Sequence, residues 1–125
     1  MNHITSPRTD DDAVEQEIKA KGLVAPRVTP ADITANIIDV LYFTAYEASV
    51  GQELAPADRP YTASQAHRLL TFCVLTLRNG FMVTGESACA SPENFDAEIG
   101  RKIALENAKQ KVWPLMGYAL KEKLA

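Results

Sequence analysis

The sequence predicts an α+β domain built from an N-terminal helix, a two-stranded β-hairpin and a long or proline-kinked C-terminal helix. Three observations predict it. Thr29-Pro30-Ala31-Asp32 supplies a capping threonine, a proline at the first helical position and an acid at the third. Asn79-Gly80 stands between two runs rich in β-branched and aromatic residues, Thr71–Leu77 and Phe81–Thr84, which is the strongest short signal for a hairpin. Ser91-Pro92-Glu93 is a second capped start. Behind it the acids Glu93, Asp96 and Glu98 precede the bases Lys109, Lys111, Lys121 and Lys123, the order that a helix dipole favours.

Residues 1–28 read as a flexible appendage with one marginal helix, Ala13 to Lys21, and residues 29–125 as a single compact domain. The triple acid Asp10-Asp11-Asp12 opens that short helix and Gly22 stands at its C′ position. It offers a core only Val14, Ile18 and Leu23.

The next helix is expected over 30–46. Ile33, Ile37, Val40 and Leu41 recur at helical spacing, and Tyr42, Phe43 and Tyr46 form a second, aromatic face. Residues 47–62, with Gly51, Pro56, Asp58 and Pro60, read as a long loop.

Residues 64–77 admit a helix or the first strand of the hairpin, and the composition favours the strand. A three-residue turn, Arg78-Asn79-Gly80 with Gly80 left-handed, pairs Leu77 with Phe81. It puts Cys73, Leu75, Leu77, Phe81 and Val83 on one apolar face, whereas a one-residue slip scrambles the faces. In that register Cys73 lies opposite Gly85. Cys89 is then too far along the strand for a disulfide, so both cysteines are expected as free thiols.

The C-terminal helix, 92–123, carries two apolar stripes: Phe95, Ile99 and Ile103 with Trp113, and Ala104, Ala108 and Val112 with Ala119. Pro114 either kinks it or ends it. Gly100 and Gly117 disfavour helix by about 1 kcal/mol each against alanine, so close backbone contact is expected at both. Asn79, Gly80, Gly100 and Trp113 are the structural positions singled out.

The chain has 125 residues and a net charge of −3, which excludes a multidomain enzyme and does not indicate a generic nucleic-acid binder. Its two cysteines and two histidines lack metal-ligand spacing, so neither a metal nor a cofactor is expected. No secretory signal pattern or membrane-spanning run is apparent, and the expected location is cytoplasmic.

The run from Val74 to Phe95, VLTLRNGFMVTGESACASPENF, resembles the signature of a small tailed-phage protein family. That family is named after gene product 49 of a coliphage and gene 66 of a Shigella phage. The continuation Glu98-Ile99-Gly100-Arg101-Lys102-Ile103-Ala104, then Glu106-Asn107-Ala108, Trp113 and Gly117-Tyr118, is similar too, as is the upstream Tyr42-Phe43-Thr44-Ala45. The resemblance covers about residues 29–124. Pro114-Leu115-Met116 departs from the commoner pattern, which has an acid before Gly117. The resemblance implies a phage or prophage accessory protein inside the bacterial host cell, and it supplies no activity.

Four functional readings follow from the residues. Glu86, Ser87 and Cys89 precede a helix start where a nucleophile could be activated, but no base lies near them in sequence and no enzyme is expected. The same connection, with Ser91 and Asn94, could hold a small nucleotide at a helix N-terminus, although Glu86, Glu93, Asp96 and Glu98 oppose an anion there. Arg101, Lys102, Lys109 and Lys123 fall within an arc of about 100° on a straight helix, a candidate basic stripe for nucleic acid. The leading expectation is a non-enzymatic binding module acting on a host or phage protein, in host takeover or anti-defence. Tyr42, Phe43 and Tyr46 would contribute to its surface. More apolar faces than three elements can cover predict a homo-oligomer, most simply a dimer.

Overall fold

The structure, a computed structural model, describes residues 8–52 and 61–125. In chain order the elements are α1 (Arg8–Ala20), α2 (Pro30–Asn36), β1 (Ile37–Thr44), α3 (Ala45–Gly51), α4 (Tyr61–His67), β2 (Leu70–Leu77), β3 (Met82–Ala88) and α5 (Ala97–Leu124). A single 3-10 turn, Pro92–Asn94, precedes α5. The three strands form one antiparallel sheet in the order β1-β2-β3, and α5 packs across β2 and β3.

The fold class is α+β, but the sheet has a third strand that the sequence reading took for helix. The helix expected over 30–46 stops at Asn36. Its start is as expected: the Thr29 hydroxyl accepts from the Asp32 amide at 3.1 Å, and an Asp32 carboxylate oxygen accepts from the Thr29 amide at 2.9 Å. Then the β-branched and aromatic run Ile37 to Thr44 pairs with β2, Val40 opposite Leu75 and Tyr42 opposite Cys73. A bulge at Ile37–Asp39 re-aims the strand as it leaves α2. Thr44 caps α3 with a second reciprocal box, through Glu47. Of the loop expected over 47–62, residues 47–51 belong to α3, while 53–60 lie outside the described residues.

The hairpin has the expected register. Cys73 pairs with Gly85 and Leu75 with Val83, the Leu77 amide donates to the Phe81 carbonyl at 2.8 Å, and Gly80 has φ +88°. The Asn79 side-chain oxygen accepts from the Phe81 amide at 2.9 Å and closes the turn. Cys73, Leu75, Leu77 and Val83 are buried. Phe81 is not; it is 55% exposed, because two residues oppose Leu77 at the turn and the pleat's alternation breaks there.

The long helix starts later than expected. Ser91 makes no side-chain cap, and extended Phe95 separates the 3-10 turn from α5. Asp96 is the true N-cap, accepting from the Ile99 amide at 3.0 Å. The helix runs through Pro114 to Leu124. Its small-residue stripe Gly100, Ala104, Ala108, Val112 is buried on the sheet, with Trp113 and Leu105 packed beside the core. Gly100 has a close neighbour, but a side chain and not the backbone expected: a Cβ there would come 3.0 Å from the Thr71 hydroxyl. Gly117 has none, since it faces open space.

The first helix begins earlier than the sequence reading placed it and ends at Ala20, with Gly22 at φ +67° beyond it. It touches the rest of the chain: Gln110 on α5 donates to the Asp11 carboxylate at 2.9 Å. Arg27 holds Glu15 in a two-pronged ion pair at 2.6 and 2.9 Å.

Two glycines are required for different reasons, and replacing them should cost different amounts. At Gly80 there is room for a side chain but the backbone is left-handed, so Gly80→Ala should destabilise by about 1 kcal/mol. At Gly85 an added Cβ would overlap the Ala104 carbonyl and the Ala108 amide of α5, so Gly85→Ala should cost roughly 3 kcal/mol. Chemical denaturation of both variants checks the order; a milder effect at Gly85 would contradict the contact.

Candidate functional site

Antiparallel pairing lines up three hydroxyl residues across the sheet: Thr44 opposite Thr71, and Thr71 opposite Ser87. Gly100 stands against Thr71, so this row lies beneath the first turns of α5. Thr71 is 2% exposed and its hydroxyl has no hydrogen-bond partner among the described residues, while Ser87 is also buried. Buried hydroxyls are ordinarily satisfied, so the Thr71 oxygen is the polar feature to explain.

Thr71 lines a cleft of about 120 Å³ between the end of β1 and the start of α5. Tyr42, Phe43 and Arg101 also line it, with Thr44 and Glu47 at the rim of α3. Glu47 is committed to capping, taking both the Thr44 amide at 3.0 Å and the Thr44 hydroxyl at 3.2 Å. Burial pushes the Tyr42 hydroxyl above the usual tyrosine range; the neighbouring Cys73 adds to the rise and Arg101 opposes it. A guanidinium and a hydroxyl lining one cleft can together orient a small polar group.

The second feature is the sheet face turned away from α5. Phe43 stacks on Phe72 there, with ring centroids 5.2 Å apart. The pairing sets Leu41 beside Val74, and Val74 beside Thr84. Leu41 is 54% exposed and Met82, one pleat further on β3, is 59% exposed. The Arg68 guanidinium covers the Tyr46 ring at 3.7 Å, near the end of this face.

The structure separates the candidates drawn from the sequence. Tyr42, Phe43 and Tyr46 do not share a face: strand alternation sends Tyr42 to the α5 side and Phe43 to the open side, and Tyr46 is in α3. Glu86 lies on the open face near Thr84, and its carbonyl accepts from the Asn107 side chain at 2.8 Å. The buried Cys89 thiol donates to the Ser91 carbonyl at 3.2 Å, and Asn94 is exposed in the 3-10 turn. Of the basic stripe, Arg101 flanks the cleft and Lys102 pairs with Glu98 at 3.3 Å. Lys109 is half-buried in a cavity against α2, and Lys123 is exposed in the last turn. Among the described residues no His, Cys, Asp and Glu cluster suits a metal ion, and no helix is long and apolar enough to cross a membrane.

Sequence reasoning missed Thr44, Thr71 and Arg68. Thr71 was accessible, since the hairpin register already sets it opposite Ser87. Thr44 was hidden because its segment was read as helix.

The family model of the phage protein (N4 Gp49/phage Sf6 gene 66) family matches residues 28–124, and the chain belongs to that family. No curated protein and no solved structure matches it.

Both cysteines are buried and neither is in a disulfide, and burial pushes the Cys73 thiol up to about 11. Alkylation without reductant should therefore label two thiols per denatured chain and leave Cys73 unlabelled in the native protein at pH 8. Because the folded state keeps the Cys73 proton longer than the unfolded chain, stability should fall as pH rises from about 9 towards 11. A denaturation midpoint that stays flat over that window in the parent, or falls equally in Cys73→Ser, would contradict the shift.

Proposed function

We propose that this phage-family protein is a non-enzymatic binding module of a phage or prophage. It acts in the bacterial cytoplasm on a host or phage protein, in host takeover or in countering host defence. The open face of the sheet carries this reading. Leu41 and Met82 are more than half exposed there, beside Val74 and the Phe43–Phe72 stack. Apolar surface running across neighbouring strands is the usual mark of a contact site. Thr84 and Glu86 supply a polar border on β3 of the kind that rims an interface.

The test is affinity capture from phage-infected cells with three proteins: the parent, Met82→Glu and the distant control Lys123→Ala. One cellular protein should be retained by the parent and the control and lost from Met82→Glu. Equal retention by a Met82→Glu protein of parental circular dichroism would overturn the open face as the binding surface.

The cleft favours a second reading, a protein that sequesters a small nucleotide. Its support is that the Thr71 hydroxyl, without a hydrogen-bond partner among the described residues, and Arg101 line the same cleft. Protein purified from infected cells and then denatured should release such a molecule, and Arg101→Ala should release at least tenfold less. An extract with no nucleotide would remove this reading and leave the first intact.

A further inference from the structure

We infer that the outer edge of β1 is completed by β1 of a second copy of this chain, running antiparallel about Leu41, so that two three-stranded sheets become one. The inference begins with which way the backbone groups point. At the hairpin turn the Leu77 amide donates to the Phe81 carbonyl at 2.8 Å, and the Leu77 carbonyl accepts from the Gly80 amide at 2.9 Å. Leu77 thus directs both groups towards β3. Antiparallel ladders alternate, so Leu75 and Cys73 do the same, while Thr76, Val74 and Phe72 direct theirs towards β1. Their partners are Asp39, Leu41 and Phe43. The residues between, Val40 and Tyr42, therefore aim their N–H and C=O groups away from the sheet.

The phase can be checked at both edges. Thr44 shares the parity of Val40 and Tyr42, and its amide indeed bonds outside the ladder, to Glu47 at 3.0 Å. On β3 the outward set includes Glu86, whose carbonyl is taken by the Asn107 side chain of α5 at 2.8 Å. The β3 edge is thus blunted at its middle. Among the described residues β1 is the opposite edge of the sheet, with no strand beyond it. Ile38 is 61% exposed, Val40 39% and Leu41 54%, and the strand contains neither lysine nor proline. Those are two of the devices that keep an edge from pairing; the strand's bulge and its one charge, Asp39, lie at its first residues and leave Val40 to Tyr42 uninterrupted.

Charge and side-chain pairing select a second copy in one orientation. Centred on Leu41, antiparallel pairing sets Val40 of each copy opposite Tyr42 of the other, which satisfies the outward groups of both. Leu41 meets Leu41 across the two-fold axis. Asp39, the strand's sole charge, falls opposite Phe43 and lies about 13 Å from its symmetry mate, four residues at 3.3 Å each. Parallel in-register pairing would instead set the two Asp39 carboxylates side by side, a like-charge contact that destabilises a sheet. A contact built on one strand is at the small end of specific interfaces, so the dimer should dissociate on dilution.

Light scattering of the parent at a few hundred micromolar should give twice the 13.7 kDa chain mass. Leu41→Lys and Leu41→Asp should each be monomeric, and an equimolar mixture of the two should recover the dimer. In the parent, the Val40 and Tyr42 amides should be protected from hydrogen exchange in the dimer and lose that protection on dilution. Met82→Glu should leave the mass unchanged, which separates this edge from the partner surface proposed above. A monomeric parent, or a dimer that survives Leu41→Lys, would overturn the inference. If neither Leu41 variant folds, the exchange measurement decides alone: unprotected Val40 and Tyr42 amides in a sample of dimer mass overturn it.

Discussion

The close approach of α5 to Gly85 governs the rest of the architecture. A hydrogen is all that fits between the β3 backbone and the Ala104 carbonyl and Ala108 amide of the helix. A helix that lies this flat on a strand can present only small residues at the contact. That explains Gly100, Ala104 and Ala108 at four-residue spacing, followed by the larger Val112 as the stripe continues. Volume is instead supplied by the sheet, whose Cys73, Leu75, Leu77 and Val83 fill the space on either side. The hairpin's bulged turn matters through the same contact, because a register slip would move Gly85 off the helix along with every buried side chain of β3.

Anchoring α5 over β2 and β3 has a consequence for β1. The helix axis passes to one side, so β1 receives less cover: Val40, on the helix side, remains 39% exposed, while Cys73 and Leu75 beside it are fully buried. The helix also covers one face of the sheet and leaves the other open. The open face and the bare β1 edge therefore have one origin, and so does the cleft at Thr71, where the start of α5 bridges the end of β1 without closing on it. Asn107 fits the same geometry: from the helix that lies on β3 it reaches that edge and satisfies a carbonyl there, and among the described residues no side chain bonds the outward groups of Val40 or Tyr42.

The hairpin was legible to the individual residue pair because two independent signals agreed, the Asn79-Gly80 turn and the separation of apolar from mixed residues that only one loop length allows. The cap at Thr29 was legible because its chemistry is local: a hydroxyl and a carboxylate three residues apart form a reciprocal pair. The start of α5 was misplaced because Ser91-Pro92-Glu93 satisfies the same local rule. The rule held for one 3-10 turn before extended Phe95 reset the chain and Asp96 capped it afresh. Of the cleft's lining, the sequence singles out Tyr42 and Phe43 as an aromatic helix face and Arg101 as part of a basic stripe, but nothing in it joins the three. Thr71, which supplies its unsatisfied hydroxyl, carries no pattern until a neighbouring strand and helix surround it.

The misreading of β1 and its exposed edge share a physical cause. A strand with one wet face announces itself by alternating apolar and polar residues, and a helix by a stripe. Ile37-Ile38-Asp39-Val40-Leu41-Tyr42-Phe43 is apolar on both faces, so its spacing fits a helix as well as a strand. Apolar residues on both faces belong to a strand covered on both sides, and within one copy β1 is an edge strand with exposed Ile38, Val40 and Leu41. The composition is therefore that of an interior strand in an exterior position. Pairing with a second copy would move β1 to the centre of a larger sheet and give its outward amides and carbonyls partners, a position that suits a β-branched and aromatic run whose one charge is Asp39. The property that hides the strand from its periodicity, apolar residues on both faces, is the same one that leaves Ile38, Val40 and Leu41 as exposed apolar surface at the sheet's edge.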